Sequence, residues 1–283
     1  MASSHHDRLI LTANLWSLKE QPQSDAEWSL SDKVRAVNQG GFDALSCWAR
    51  EYPGIKDLLR QNRLRYGGFF DASKGDDYAD KIRASLEVGD GPMNCQMGDH
   101  DTPLEEAVET AIEVLEVADQ LGAEVYIEVH RDTATETPEK AIALAEGYRA
   151  RTGKPIRMNF DFSHPAVVKH LDSSNYSQRL FDLPDLFTQS RLWHIRPFNG
   201  HHCQIPISDG AGAYSPEYLA LRPFIRDAFQ RWLAANPDET EFWVVPEMGP
   251  LSSGYGLSCF PNIWRDTILL GRDLRSIWAE LGD

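Results

Sequence analysis

The feature that most constrains this 283-residue chain is an alternation, repeated eight times, of short apolar runs with longer stretches of helical periodicity. The runs are Leu9–Trp16, Phe42–Trp48, Tyr66–Asp71, Met93–Met97, Val125–Val129, Ile156–Phe162, Leu192–Phe198 and Phe242–Val245. Each is short enough for a strand, and most are too apolar to have one face in water. Between them the spacing predicts helices over Ser29–Gln39, Ile55–Asn62, Tyr78–Leu86, Thr102–Leu121, Pro138–Arg149 and Pro216–Ala235, and a last one over Asn262–Leu281. Shorter helical patches are expected at Ala166–His170 and Leu183–Ser190. Thr102 is placed to cap its helix with Pro103 in the first turn, and Gly40-Gly41 to end the first one.

Such an alternation builds a closed barrel or a doubly wound sheet. No strand is followed by a G-x-G-x-x-G or Walker phosphate loop. Polar and ionisable residues instead recur at the ends of many strands, which is how barrel active sites are assembled. The expected fold is therefore α/β, a (β/α)8 TIM barrel forming a single domain over residues 1–283, with residues 1–8 as a flexible N-terminus.

The net charge of −15 opposes binding to phosphate backbones, so nucleic acid is not expected as a partner. No apolar run approaches the roughly 18 residues of a membrane span, and no secretory leader is read at the N-terminus. The four cysteines, Cys47, Cys95, Cys203 and Cys259, form no C-x-x-C pair. They read as reduced, buried thiols of a cytoplasmic protein.

The fifth strand ends Glu128-Val129-His130, which puts the carboxylate and the imidazole on one face. The sixth ends Asn159-Phe160-Asp161, with His164 in the following turn, where Ser163 is the expected helix cap. The seventh places His194 and Arg196 on one face, followed by Asn199-Gly200-His201-His202. In the eighth, Pro246 marks the end of pairing and puts Glu247 at the rim. Glu128, Asp161, His194 and Glu247 thus end four successive strands. One imidazole and three carboxylates form an oxygen-rich set suited to one divalent ion, Mn2+, Mg2+ or Co2+, with Zn2+ also compatible.

This pattern resembles the xylose isomerase-like TIM barrels, over nearly the whole chain. The resemblance implies that Glu128, Asp161, His194 and Glu247 bind the metal and that His164, from the D-x-x-H element, faces substrate. The stretch Glu128 to Thr133, E-x-H-x-x-T, is similar to the dehydratase branch of that superfamily, and Gly40-Gly41-Phe42-Asp43 fits its first helix-to-strand turn.

The leading expectation is a metal-dependent isomerase or epimerase of a sugar-like hydroxy-ketone, working through a metal-bound enediolate. Glu128 and Glu247, facing each other across the substrate, would pass the proton, and His130 and His164 would polarise substrate oxygens. Arg196, His201, Trp16 and Asp99 are candidate substrate contacts, with Trp16, Trp48 and Phe70 as an aromatic wall. A lyase or dehydratase using the same ligands is the alternative, and a non-catalytic sugar-binding barrel the alternative of another class. The Gly- and Ser-rich stretch 249–256 lies where barrels often bind phosphate, but has no matching basic residue. The expected partner is a small carbohydrate-like molecule, and self-association is left open.

Overall fold

The computed structural model describes residues 8–181 and 184–282. Eight parallel strands close a barrel in sequence order: β1 (Leu9–Asn14), β2 (Ala44–Cys47), β3 (Arg65–Ala72), β4 (Met93–Met97), β5 (Val125–Val129), β6 (Met158–Asp161), β7 (Leu192–Ile195) and β8 (Phe242–Pro246). The outer helices are α1 (Leu30–Gln39), α2 (Ile55–Gln61), α3 (Tyr78–Val88), α4 (Leu104–Leu121), α5 (Pro138–Thr152), α6 (Ser163–Val168), α7 (Tyr176–Leu180), α8 (Pro184–Thr188), α9 (Pro216–Ala235) and α10 (Ile263–Gly282). The expected fold class is the observed one.

The helices follow from local chemistry. Ser29, Asp77, Thr137 and Ser215 each accept a backbone N–H of the following turn, so α1, α3, α5 and α9 begin on side-chain caps. Pro138 and Pro216 occupy first-turn positions, where no N–H is needed. Gly122 and Gly153 end α4 and α5 in the left-handed conformation that glycine adopts without a Cβ penalty. Apolar faces of α1, α4, α9 and α10 bury against the strands in one continuous core.

Several boundaries differ from expectation. β1 stops at Asn14, because the Asn14 side chain accepts from Trp16 N and turns Leu15–Leu18 into a 3-10 helix. β6 is shorter than its apolar run at both ends, with Phe162 leading directly into α6, and the β7 run continues past Ile195 as irregular chain. Thr102 does not cap α4: its hydroxyl accepts from Asp99 N, and the helix begins one residue beyond Pro103. Ser163 does not cap α6; Asp161 Oδ1 accepts from Ser163 N instead, at 2.8 Å. Leu183, the expected start of a helical patch, lies outside the described residues, as do residues 1–7 of the expected flexible terminus. Arg8, counted in that terminus, is buried over Trp232 and donates to Asn236 O. The cysteines are free, but Cys203 is only half-buried and Cys259 is exposed, so burial holds for Cys47 and Cys95 alone.

Candidate metal centre

Strand alternation decides which residues enter the barrel. Near its N-terminal end the interior holds Ala44, Tyr126, Leu192, Trp243 and Val245, a small separate apolar cluster. One or two positions further along the same faces come Asn14, Asn94, Gln96, Glu128, Asn159, Asp161, His194, Arg196 and Glu247. All but the half-buried Gln96 are buried. Register pairs Glu128 with Asn159 and Asp161 with His194, so these groups sit at similar heights.

Glu128, His194 and Glu247 converge: one ligand atom from each lies within 4.8 Å of the other two. His194 Nδ1 is 2.8 Å from Glu128 Oε1 and 3.2 Å from Glu247 Oε2. The remaining carboxylate oxygens are fixed from behind. Asn94 Nδ2 and Gln96 Nε2 donate to Glu128 Oε2 at 2.7 and 2.9 Å, and Asn14 Nδ2 donates to Glu247 Oε1 at 2.9 Å. Asn159 links the set, donating to Asn94 Oδ1 and accepting from His194 N. Arg196 donates through Nε to Glu247 O at 2.9 Å and through Nη2 to Glu247 Oε2.

The electrostatics follow from burying opposite charges together. Burial pushes the Glu128 and Glu247 carboxyls up, but His194, with Arg196 beside Glu247, outweighs it and holds both below the usual carboxylate range. Burial alone would lower the His194 imidazole; the two carboxylates reverse this and raise it to about 10. Asp161 is likewise held low, its burial offset by Arg196 and His164. His164 moves the other way, because burial outweighs Asp161.

The fit to a cation can be tested on atoms that lack partners. Buried polar atoms are nearly always hydrogen-bonded. Here Glu128 Oε1, His194 Nδ1, Asp161 Oδ2 and His164 Nε2 are buried and in no hydrogen bond. Glu128 Oε1 and His194 Nδ1 approach closely without hydrogen-bond geometry, as two ligands directed at one shared point do. Two carboxylates, each braced from behind, and an imidazole fit a divalent ion. Asp161, the fourth residue of the expected set, is not within the converging group. Its Oδ2 lies 3.3 Å from His164 Nε2 and 3.5 Å from Arg196 Nη2, so Arg196 stands between Asp161 and Glu247.

A cavity of about 240 Å³ opens beside this centre. Its lining includes the polar residues Asn14, Gln96, His130, Arg196, Glu247 and Tyr255 and the apolar or aromatic residues Leu15, Trp16, Cys47, Trp48, Tyr52 and Phe69. Glu247 and His130 thus reach the cavity surface, whereas Glu128 and His164 lie behind it, and the two glutamates adjoin across His194 rather than face each other across the opening. Trp16 and Trp48 line it as expected. Phe70 does not, and Phe69 takes that place, because the neighbour in a strand points to the opposite face. Asp99 is exposed in a turn, accepting from Asp101 N and Thr102 Oγ1, and His201 packs on His170; neither lines the cavity. Thr133 of the E-x-H-x-x-T stretch donates to His130 O and holds the loop.

Three parts of the site escaped sequence reasoning. Asn14, Asn94 and Gln96 carry a signal that was available, polar residues on the inward face of otherwise apolar strands. Tyr255 carries none. Its ring lies between the guanidinium groups of Arg196 and Arg131, at 4.2 and 4.4 Å, and its hydroxyl is 3.4 Å from His130 Nε2. Burial raises its pKa against the pull of both arginines. Gln204 is the third: it accepts from Gly249 N at 2.6 Å and donates to Gly249 O at 3.0 Å, fixing the loop after β8.

Among known proteins, no family model matches the chain. No curated protein matches it in sequence. Solved structures do match. A xylose isomerase-like TIM barrel protein from Mycobacterium smegmatis in complex with magnesium superimposes with a TM-score of 0.61 at 18% identity, covering 98% of this chain and 99% of that one. IOLI protein with a bound zinc atom gives 0.56 at 12% identity, over 94% and 98% of the two chains. The probable 3-DHS dehydratase AsbF from Bacillus anthracis gives 0.52 at 16% identity, over 92% and 98%. At these identities the likeness is one of fold: this chain, like those proteins, is a closed eight-stranded parallel TIM barrel.

Proposed function

We propose that the protein is a divalent-metal-dependent isomerase or epimerase that moves a proton on a sugar-like hydroxy-ketone. The observation that carries this reading is the convergence of Glu128, His194 and Glu247, the two carboxylates braced from behind, beside a cavity. Mn2+, Mg2+ or Co2+ suits the donor set, and Zn2+ is compatible with it. Asp161 completes the set if Arg196 shifts away from it. When bound, the ion supplies a Lewis acid that acidifies the carbon between a carbonyl and a hydroxyl. Glu247, the carboxylate at the cavity surface, takes that proton and returns it to the neighbouring carbon, while Glu128, behind the cavity surface, would help to hold the ion. Arg196 orients Glu247 and keeps its buried, unpartnered Nη1 for a substrate oxygen. His130 polarises a substrate oxygen from the opposite edge, and His164 packs behind it at a ring distance of 4.1 Å.

A lyase is the second reading, favoured by one observation. His130 and Tyr255 form a pair on the cavity wall, 3.4 Å apart, where a departing hydroxyl or glycosidic oxygen could receive a proton. Both readings begin with the same proton abstraction. The test is incubation of Mn2+-loaded protein with a panel of ketoses and 3-keto-sugars in D2O. Deuterium in an isomerised or epimerised product supports the first reading, and release of water or an alcohol supports the second. Metal uptake with binding but no turnover of any member would leave a sugar-binding barrel, and full activity in verified metal-free protein would end both readings.

A further inference from the structure

The cavity lining is part polar and part apolar, and the loop above it has spent its hydrogen-bond donors. In barrels the loop after the eighth strand is a common phosphate cradle, built from free backbone N–H groups. Here that loop is saturated. Gly249 N is taken by Gln204, and Leu251 N and Ser252 N donate to the carboxylate of Glu20 at 3.1 and 2.9 Å. Ser253 N, Gly254 N and Gly256 N donate to carbonyls of the loop itself, and Tyr255 N to Ser253 Oγ. An acidic side chain from the β1 loop therefore occupies the position an incoming phosphate would need, and repels it. Of the charged residues that line the cavity, Lys19 is accompanied by Glu51 and Glu247.

The apolar lining makes the complementary point. Cys47, Trp48 and Phe69 belong to it, with Trp48 and Phe69 edge-to-face at 4.6 Å, while Trp16 packs beside Arg196 and Tyr255. Burial holds the Cys47 thiol protonated, its pKa pushed up to about 12. A sugar ring could set only its C–H face on such a surface, and any hydroxyl pressed against it would lose water without gaining a partner, at about 1–3 kcal/mol for each buried, unpaired group. An apolar group placed there loses nothing and gains burial.

We infer that the site takes an unphosphorylated carbohydrate-like substrate carrying an aromatic substituent, with the polyhydroxylated part at the metal centre and the aromatic ring against Trp48 and Phe69. This rests on the proposed carbohydrate chemistry for the polar half of the cavity. The apolar half is an independent observation.

The test uses calorimetric titration of the full chain with matched pairs of probes: phenyl and methyl β-glycosides of glucose, galactose and xylose, and glucose against glucose 6-phosphate. Each titration is run on metal-free and on Mn2+-loaded protein. The expected result is that at least one phenyl glycoside binds about tenfold more tightly than its methyl partner, the scale of partial burial of one ring. Trp48→Ala is expected to remove most of that preference and Trp48→Phe to keep it. Glucose 6-phosphate is expected to bind no more tightly than glucose, and more tightly only in Glu20→Ala, where Leu251 N and Ser252 N are freed. Equal affinities within every phenyl–methyl pair, no binding of any phenyl glycoside at millimolar concentration, or tighter binding of the phosphate to wild type would overturn the inference. Failure of Mn2+ to bind while the phenyl preference persists would count against the proposed function alone. Metal binding without the preference would count against this inference alone.

Discussion

The two ends of the barrel are both rich in charge and differ in how the charge is satisfied. At the N-terminal end Arg65 holds Glu241 with two bonds of 2.7 and 3.1 Å, Arg157 reaches Asp119, and Arg191 reaches Glu124 and Glu239. These pairs are part-exposed, each cation with an anion in contact. At the C-terminal end Glu128, Asp161, His194, Arg196 and Glu247 are buried, and four of the five carry a polar atom with no hydrogen bond. Surface pairs contribute little to stability, whereas burying charged groups costs stability that even close ion pairs repay only in part. The contrast separates a rim that closes the barrel from a centre shaped for a ligand, and it can be attacked from either end.

The largest effect is expected from Glu247→Gln. Gln keeps the shape and can still accept from Asn14, but it cannot take up a proton. Turnover of any substrate found in the D2O screen should fall at least about a hundredfold with the fold retained, as circular dichroism and melting temperature would show. A change within about threefold, too small for a catalytic proton carrier, would remove Glu247 from the chemistry. Chelation comes next. Activity should vanish on metal removal and return with Mn2+, Mg2+ or Co2+, and the melting temperature should rise with added metal, because an ion bound only by the folded state stabilises it. Identical melting curves with and without saturating metal would contradict a site at Glu128, His194 and Glu247.

Gly249→Ala should give an intermediate effect. A Cβ there would lie 2.3 Å from Trp16 Cη2 and 2.7 Å from Tyr255 Cβ, so the two rings must move. Such overpacking costs about 1–3 kcal/mol, and it displaces the cavity wall, so denaturant titration and ligand affinity should both register it. The smallest effect belongs to the other end of the barrel. Arg65→Met removes a half-exposed pair and should cost at most about 1 kcal/mol, with activity unchanged. Hydrogen bonding from Arg65, ahead of the opposing effect of burial, lowers the Glu241 pKa. A carboxylate lowered on folding stabilises above its unfolded pKa of about 4.3, and loses this as pH falls through the folded value. The stability difference between wild type and Arg65→Met should therefore shrink below that range. A large, pH-independent loss would show that this rim does more than close the barrel.

Much of this was legible because local chemistry and periodicity are written one residue at a time. Eight apolar runs with capped helices between them imply the barrel, and a carboxylate or imidazole at the end of each of β5 to β8 marks the candidate site. The pairing of Glu128 with His194 and Glu247 was accessible by the same reasoning, since all three share the inward face. Boundaries were less legible wherever a side chain redirected the chain, as Asn14 does in ending β1 and Asp161 in starting α6.

What the sequence by itself determined is the fold class and the residues that enter the barrel, because strand period and helix capping act over a few neighbouring positions. Only the tertiary structure decided what those residues meet. Arg196 stands between Asp161 and Glu247, Tyr255 lies between two guanidinium groups, and Glu20 fills the loop after β8 from a position 231 residues away. Such contacts depend on barrel closure and loop paths, which bring distant side chains together by packing, and no local pattern encodes that.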